Sequence, residues 1–233
     1  MIHNTARNFT LQDEHRDFLH RCAISDEIID SRPYYSLTVE SRVHLAERWH
    51  LSNEALRGDG IVLPRYTPEG EETYPQIRYM PPRMVVNELG EAKEQKYTCP
   101  VRSGGVIDVH PSALAQVRDA SKPILFVESI KGSDALLSSG ILAAGFHGVS
   151  GWKVNKAPSP MLARIPLAGR ETAICFDADT VTRADLREVV KEFAGLLRFA
   201  GARVTIFDVP PNAGPETGID DYMALLQAAG MGD

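Results

Sequence analysis

The chain has 233 residues, of which 43% are hydrophobic and 24% are charged. This composition is typical of a globular protein in water, and the length allows one large domain or two small ones. The formal net charge of −6 argues against a protein that coats nucleic acid over its whole surface, although a local basic groove could still hold a polyanion.

The cysteines and the N-terminal residues indicate the compartment in which the protein works. Cys22, Cys99 and Cys175 lie far apart and form no CxxC pair, so neither a zinc ribbon nor a disulfide framework is indicated. The first residues lack the basic and then apolar pattern of a signal peptide, and no apolar run approaches the roughly 20 residues of a membrane span. We therefore expect a cytoplasmic protein that does not cross a membrane.

The first part of the chain, residues 1–105, is predicted to form a small α+β lobe. It begins with three short helical patterns, LQDEHRDFLHRC, SDEIIDS with Ser25 as N-cap, and VESRVHLAERW. From Gly60 onward, GIVLPRY and TYPQIRYM predict the two strands of an antiparallel hairpin, with PEGEE as the turn. The proline-rich PPRMVVNELGEAKEQKY that follows predicts an exposed loop and linker.

The second part, residues 106–233, alternates between strand and helix patterns. This alternation predicts an α/β domain with a parallel sheet and helices on both faces. Thr182 and Asp185 form a capping-box pattern, which predicts that the longest helix begins there. The segments in chain order are PILFVE, KGSDALLSSG, ILAAGF, TAICF, ADLREVVKEFAGLLRFA, ARVTIFDV and IDDYMALLQAAG.

Acidic side chains follow two of the predicted strands. Glu128 ends PILFVE, and Asp177 and Asp179 come directly after TAICF. Ligands of parallel sheets bind at the carboxyl ends of the strands. Carboxylates that converge there repel one another unless a cation lies between them, and all-oxygen ligation favours Mg²⁺ or Mn²⁺. Such ions are completed by substrate phosphates, so the pattern predicts phosphoryl-transfer or phosphodiester chemistry.

Other interpretations of these acids remain open. Glu128 at the start of a helix could simply interact with the helix dipole. A haloacid-dehalogenase-type phosphatase also places a DxD motif after an apolar strand, with the first aspartate as nucleophile. However, that motif normally opens its domain, and only 56 residues follow Asp177.

Residues 121–230 resemble the Toprim domain, which is shared by bacterial-type primases, topoisomerases and certain nucleases and recombination proteins. The resemblance is carried by the stretches FVESIKGSDA, GVSGW, FDAD and GIDDYM, which resemble stretches that recur in Toprim-containing plasmid and phage proteins of unknown function. IVLPRYTPEGEE and the later QKYTCP also resemble the segment that precedes Toprim in primases. The similarity to primase catalytic cores thus spans most of the chain.

The resemblance implies roles for the three acids. Glu128 would be a general acid/base or metal ligand, and Asp177 and Asp179 would bind Mg²⁺. Two departures are present, because Ser129 replaces the usual glycine and Asp134 lies six residues after the glutamate rather than four. The implied function is primase-like nucleotidyl transfer in a phage or plasmid replication system. The alternatives are a Toprim nuclease and a non-catalytic DNA-binding or replication accessory module.

Further residues are candidates for supporting roles. No zinc-binding module or P-loop helicase motif flanks the domain, so for a primase we expect template reading and strand unwinding to come from a helicase or another replication protein as a partner. The nucleic acid that the resemblance implies is single-stranded DNA. Each supporting candidate also has a structural interpretation, such as a helix cap, an ordinary surface charge or a core tryptophan. Candidates for outer-sphere metal groups are Asp134, Asp220 and Asp221, and candidates for nucleic-acid or phosphate binding are Lys131, Lys96, Arg102, Lys153 and Trp152.

Overall fold

The computed structural model describes residues 9–86, 90–100, 104–210 and 217–231. Its mixed α/β architecture, with a parallel sheet flanked by helices, agrees with the predicted fold class. The chain divides into two compact units. The first unit comprises Pro33–Pro64 and the described parts of Met1–Asp17 and Tyr74–Ser103. The second comprises Phe18–Arg32, Arg65–Thr73 and the described part of Gly104–Asp233.

The three short helices predicted near the N-terminus are present. They are α1 (Asp13–Arg21), α2 (Asp26–Ser31) and α3 (Val39–Trp49). A capping box begins α3, because the Thr38 side chain accepts a hydrogen bond from Ser41 N–H while Ser41 Oγ accepts one from Thr38 N–H. Ser25 occupies the N-cap position of α2 as predicted, but its side chain makes no capping hydrogen bond.

The sheet of the first unit has four strands in the order β1-β2-β3-β4. The strands are β1 (Tyr35–Ser36), β2 (Gly60–Tyr66), β3 (Glu72–Val86) and β4 (Ala92–Thr98). The predicted hairpin strands therefore form as β2 and the first half of β3. Leu45 of α3 packs with side chains of this sheet in a hydrophobic core that also contains Tyr35, Leu37, Leu51, Leu56, Val62, Ile77 and Tyr79.

The prediction of an exposed loop after residue 80 is wrong for most of its length. Its first residues continue β3, and its last residues form β4, which pairs antiparallel with β3 from Val86↔Ala92 to Ile77↔Thr98. The register shifts between Arg78 and Arg83, where Pro81 and Pro82 lie. Such an irregularity lets a strand contain prolines, which lack the N–H that a regular ladder requires. Residues 87–89 of the predicted loop lie outside the described residues.

The second unit contains a four-stranded parallel sheet in the order β10-β9-β5-β6. Its strands are β5 (Ile124–Val127), β6 (Ala143–Gly145), β9 (Glu171–Cys175) and β10 (Arg203–Ile206), and a separate short hairpin consists of β7 (Lys153–Val154) and β8 (Ala157–Pro158). The helices of the unit, besides α2, are α4 (Leu114–Val117), α5 (Ile130–Ser138), α6 (Asp179–Thr182), α7 (Ala184–Phe199) and α8 (Ile219–Ala228).

The amphipathic helix α7 supplies much of the core of this unit. Its buried residues are Val190, Phe193, Ala194 and Leu197, as the spacing of its apolar residues predicts. Phe193 is fully buried, and its ring contacts four other aromatic rings at centroid distances of 4.9–6.1 Å. Those rings belong to Phe126, Phe146, Trp152 and Phe176.

The capping box predicted for α7 is wrong. Thr182 ends the preceding short helix α6, and its hydroxyl donates a hydrogen bond to the carbonyl oxygen of Asp179 at 3.3 Å. Arg183 is the N-cap residue of α7, with no side-chain capping bond. Two helices, rather than one, therefore follow β9.

Within residues 9–86, 90–100, 104–210 and 217–231, no helix combines the length and apolar character needed to cross a membrane.

The aromatic core around α7 can be tested with two phenylalanines of the same helix. Phe193→Ala should lower the free energy of unfolding by about 3–5 kcal/mol, because it removes a fully buried ring and leaves a cavity. Phe199, which is 91% exposed, is the matched control, and Phe199→Ala should change the free energy by less than about 0.5 kcal/mol. Urea unfolding measures both, and equal losses would contradict this account of the core.

Candidate functional site

The parallel pairing of β5 with β9 brings two of the predicted acids together. Val127 and Cys175 are register partners at the ends of these strands, so Glu128 and Asp177 leave the sheet at the same edge. Glu128 Oε1 accepts a hydrogen bond from the backbone N–H of Asp177 at 3.0 Å. The carboxylate of Glu128 thus lies beside the turn that carries the DxD motif.

Ser129, the departure from the usual glycine, has a local structural role. It is the N-cap of α5, and its hydroxyl oxygen accepts a hydrogen bond from Gly132 N–H at 2.9 Å. A Cβ atom at Gly132 would approach Ile219 Cγ2 to 2.6 Å, so glycine permits close packing of α5 against α8. These contacts begin α5 directly after Glu128 and hold the end of β5 in place.

Burial and like charge both act on Glu128 and Asp177. Burial is the largest cause of the raised pKa of Asp177, and together with the nearby carboxylates of Glu128, Asp220, Asp179 and Asp221 it raises that pKa to about 8. Burial also raises the pKa of Glu128 to about 7, against the opposing effect of the hydrogen bond from Asp177 N–H. The two groups therefore favour a shared proton or a nearby cation over two bare negative charges.

Asp179 is the first residue of α6, and its side chain is 25% exposed. One of its carboxylate oxygens is 3.7 Å from Arg183 Nη1. Its charge contributes to the raised pKa of both Glu128 and Asp177, which places it within electrostatic range of them. All three acids predicted from the sequence therefore lie at one edge of the sheet.

The three acids do not form a closed ligand cage. In the described part of the chain, the group of three whose ligand atoms all lie within 4.8 Å of one another is Glu14, His15 and Asp59, and not Glu128, Asp177 and Asp179. Mg²⁺ usually keeps several waters and is bound by only one or two carboxylates plus substrate phosphates. The open arrangement at the sheet edge fits this mode of binding.

The structure places Asp220 and Asp221 close to Asp177. A Cβ atom at Gly218 would lie 2.9 Å from Asp220 Oδ1 and 3.3 Å from Asp177 Oδ1, so these carboxylates flank the same glycine. Asp221 Oδ2 accepts a hydrogen bond from Gly218 N–H at 3.1 Å, as the helix-cap interpretation of this residue requires. Both aspartates thus belong to the start of α8 and border the acidic group.

The Lys131 side chain is buried and contacts other buried groups. Its ammonium group forms a buried ion pair with Asp220 and lies 3.4 Å from Cys22 Sγ. It also lies over the ring of Phe18 at 5.4 Å from the centroid. This lysine neutralises Asp220, and the structure supports this role rather than direct phosphate binding.

Asp134 belongs to a different buried network. Arg32 donates to both oxygens of Asp108 at 3.0 and 2.8 Å and to Asp134 Oδ1 at 2.9 Å, and all three side chains are fully buried. The guanidinium group thus balances two carboxylates inside the second unit. Sequence analysis missed Arg32 and Asp108, because 76 residues separate them and no spacing pattern links them.

The remaining candidates for nucleic-acid or phosphate binding lie on different elements of the chain. Trp152 is buried and stacks on Phe193, as the core-tryptophan interpretation requires, while Lys153 lies over the indole at 4.5 Å and pairs with Glu192. Lys96 is exposed on β4. Arg102 lies outside the described residues.

Solved structures of primase catalytic cores have a similar fold. A primase fragment of Aquifex aeolicus with the zinc-binding and RNA polymerase domains gives a TM-score of 0.63 at 17% identity, over 94% of this chain and 55% of that chain. The RNA polymerase domain of primase DnaG from Mycobacterium tuberculosis gives 0.60 at 16% identity, over 95% and 74%. A DnaG primase catalytic domain bound to ssDNA gives 0.56 at 14% identity, over 93% and 70%. The chain thus spans little more than half of the Aquifex aeolicus fragment.

Comparison of the sequence with protein families and curated proteins assigns no function to the chain. Residues 114–229 match a family model described as a domain of unknown function, DUF3854. No curated protein sequence matches the chain. The predicted similarity to primase catalytic cores is confirmed for the fold.

The raised pKa of Asp177 predicts how stability depends on pH when divalent ions are chelated. Its pKa rises from 3.8 to about 8 on folding, so the folded protein holds a proton that the unfolded chain has lost, and stability falls as pH rises through this interval. Asp177→Asn removes this effect. Relative to the unsubstituted protein, the variant should gain at least about 1 kcal/mol between about pH 4 and about pH 8.5.

Urea unfolding at the two pH values, with EDTA present, measures this change. Glu188→Gln removes an exposed carboxylate of α7 and is the control, whose effect should be the same at both pH values. A pH-independent effect of Asp177→Asn would contradict the buried acidic pair.

The pairing of Lys131 with Asp220 predicts a loss of stability on substitution. Lys131→Met should cost about 3 kcal/mol, because it leaves a buried carboxylate without its cation. Lys131→Met combined with Asp220→Asn should recover part of the loss. Lys191→Met, which breaks the exposed pair with Glu188, should cost less than about 1 kcal/mol in the same unfolding experiment. If Lys131→Met had the same free energy of unfolding as the unsubstituted protein, the ammonium group would not be needed beside Asp220.

Proposed function

We propose that this chain is a Toprim-type protein that catalyses metal-dependent, primase-like nucleotidyl transfer on nucleic acid. The observation that carries the proposal is the pairing of Glu128 with Asp177, next to Asp179, at the carboxyl edge of the parallel sheet. The fold similarity to primase catalytic cores supports the same conclusion. Ligands of parallel sheets bind at this edge.

The chemistry of the donor set fits Mg²⁺ or Mn²⁺. Carboxylate oxygens are the ligands that these ions prefer, and burial without a balancing cation disfavours the ionised pair. Asp177 and Asp179 would hold the ion, which would polarise substrate phosphate oxygens when bound. Glu128, whose pKa is raised to about 7, would accept the proton of the attacking hydroxyl group near neutral pH.

The substrate and partners of this activity are also part of the proposal. One structural neighbour is a primase catalytic domain bound to ssDNA, and we extend single-stranded DNA to this chain as its template. Of the basic candidates, Lys96, Arg102 and Lys153 would contact the phosphate backbone, whereas Lys131 and Trp152 serve the interior. The similarity to plasmid and phage proteins supports a role in the replication system of a mobile element, with a helicase as partner.

A second candidate function is a non-catalytic DNA-binding module. The observation that favours it is the spread of the three carboxylates, which do not all lie within 4.8 Å of one another. A Toprim nuclease uses the same group of acids and differs from a primase in the product.

A single set of assays separates these functions. With labelled single-stranded DNA, nucleotides and Mg²⁺, the unsubstituted protein should synthesise primers, and EDTA should abolish the reaction. Asp177→Ala should reduce the rate by at least about 100-fold, because it removes a charge that positions the transferred phosphate, while the protein stays folded. Glu188→Ala, which removes an exposed carboxylate of α7, should retain the rate.

Each product points to one function. Shortened DNA that depends on Mg²⁺ and Asp177 would identify a nuclease instead of a primase. DNA binding without a product, with or without a helicase, would support the non-catalytic module. Unchanged synthesis by Asp177→Ala would overturn the proposed site.

A further inference from the structure

We propose that Glu14, His15 and Asp59 form a binding site for a first-row divalent transition-metal ion such as Zn²⁺. Glu14 and His15 lie in the first turns of α1, and Asp59 directly precedes β2. One ligand atom from each residue lies within 4.8 Å of the other two. All three belong to the first unit, and none is part of the acidic group at the edge of the parallel sheet.

The His15 side chain is the strongest reason to infer a ligand here. The residue is 1% exposed, and within the described part of the chain its Nε2 atom has no hydrogen-bond partner. A buried polar atom without a partner costs free energy, so native proteins rarely retain one without a reason. Nε2 faces Asp59 Oδ2 at 3.6 Å, which is too long for a hydrogen bond.

That separation is the one expected between two ligands of the same ion. Zn²⁺ binds imidazole nitrogen and carboxylate oxygen at about 2.0–2.1 Å, which places two ligands of a tetrahedral site about 3.4 Å apart. His15 Nε2 and Asp59 Oδ2 are 3.6 Å apart, with Glu14 close to both. The three ligand atoms can therefore reach a common ion with small side-chain movements.

Neighbouring groups hold the side chains of His15 and Asp59 in orientation. His15 Nδ1 lies 2.7 Å from the hydroxyl oxygen of Ser36, a residue that is itself fully buried. When Nδ1–H donates to this hydroxyl, Nε2 carries the lone pair that a metal ion needs. The second oxygen of Asp59 accepts a hydrogen bond from Gly60 N–H at 2.7 Å, which leaves Oδ2 directed at the imidazole. Metal-binding histidines and carboxylates typically have such outer partners.

The donor set selects the class of ion. One imidazole nitrogen and two carboxylates suit Zn²⁺ and similar first-row ions better than Mg²⁺ or Ca²⁺, which favour oxygen ligands alone. Two carboxylates beside an imidazole nitrogen offer a donor set that attracts a divalent cation. A bound ion would also link α1 to the start of β2, because Glu14 and His15 lie on the helix and Asp59 lies before the strand.

Zn²⁺ titration of the chelator-treated full chain, followed by calorimetry, tests the site. Excess Mg²⁺ in the buffer occupies all-oxygen sites, so that the titration reports nitrogen-containing ones. We expect one Zn²⁺ per chain, and Glu14→Gln and Asp59→Asn should each weaken binding by at least about tenfold. Both side chains reach the surface, so these variants test the site even if substitution of the buried His15 unfolds the protein.

Two controls make the result specific. His20→Gln removes an exposed histidine of the same helix, which lies 3.0 Å from Asp26, and should leave Zn²⁺ affinity unchanged. Asp177→Asn should also leave it unchanged, since this site does not use the acids of the sheet edge. At the same Zn²⁺ concentration, the thermal unfolding midpoint should rise more for the unsubstituted chain and both controls than for Glu14→Gln or Asp59→Asn.

Two results would overturn the proposal. Absence of Zn²⁺ binding to the unsubstituted chain would leave His15 and Asp59 as a histidine–carboxylate pair without a metal. Equal affinity in the unsubstituted chain, Glu14→Gln and Asp59→Asn would place bound Zn²⁺ elsewhere.

Discussion

The parallel register between β5 and β9 is the constraint on which the candidate site depends. It ends both strands at the same edge, and the hydrogen bond from Asp177 N–H to Glu128 then holds the glutamate beside the DxD turn. Burial has the largest effect on the pKa of both acids, and it raises both values. The sheet therefore holds negative side chains together in a place where their ionised forms are unfavourable, which is the condition in which a divalent ion binds well.

Three other buried carboxylates of the second unit are paired with protein cations. Arg32 neutralises Asp108 and Asp134, and Lys131 neutralises Asp220 next to Asp177. Removing one partner from such a buried pair is costly, so these contacts stabilise the folded state only as complete units. Glu128 and Asp177 thus differ from these neighbours, because no protein cation of the described residues is among the groups that shift their pKa. This difference separates the candidate active site from the structural ion pairs.

The fold places this site in a framework similar to that of primase catalytic cores, although sequence identity to them is 17% or less in the structures compared. At such low identity, this chain and the primase catalytic cores share a backbone architecture. The chemistry depends on the side chains at the sheet edge. Ser129 shows how the local sequence can change while the architecture is kept. Its hydroxyl begins α5 directly after Glu128, where the resemblance leads one to expect a glycine.

The sequence alone determined the features that depend on local patterns. Strand and helix alternation predicted the parallel sheet, and the acids at strand ends predicted the edge where Glu128, Asp177 and Asp179 lie. It misassigned the segment after residue 80, because prolines suggest a loop while strand pairing between β3 and β4 depends on residues distant in the chain. The partners of Lys131 and Arg32, and the group of Glu14, His15 and Asp59, were decided only by the tertiary structure. His15 and Asp59 are 44 positions apart, Arg32 and Asp134 are 102 apart, and Lys131 and Cys22 are 109 apart. No local periodicity reports the folding that brings such residues together.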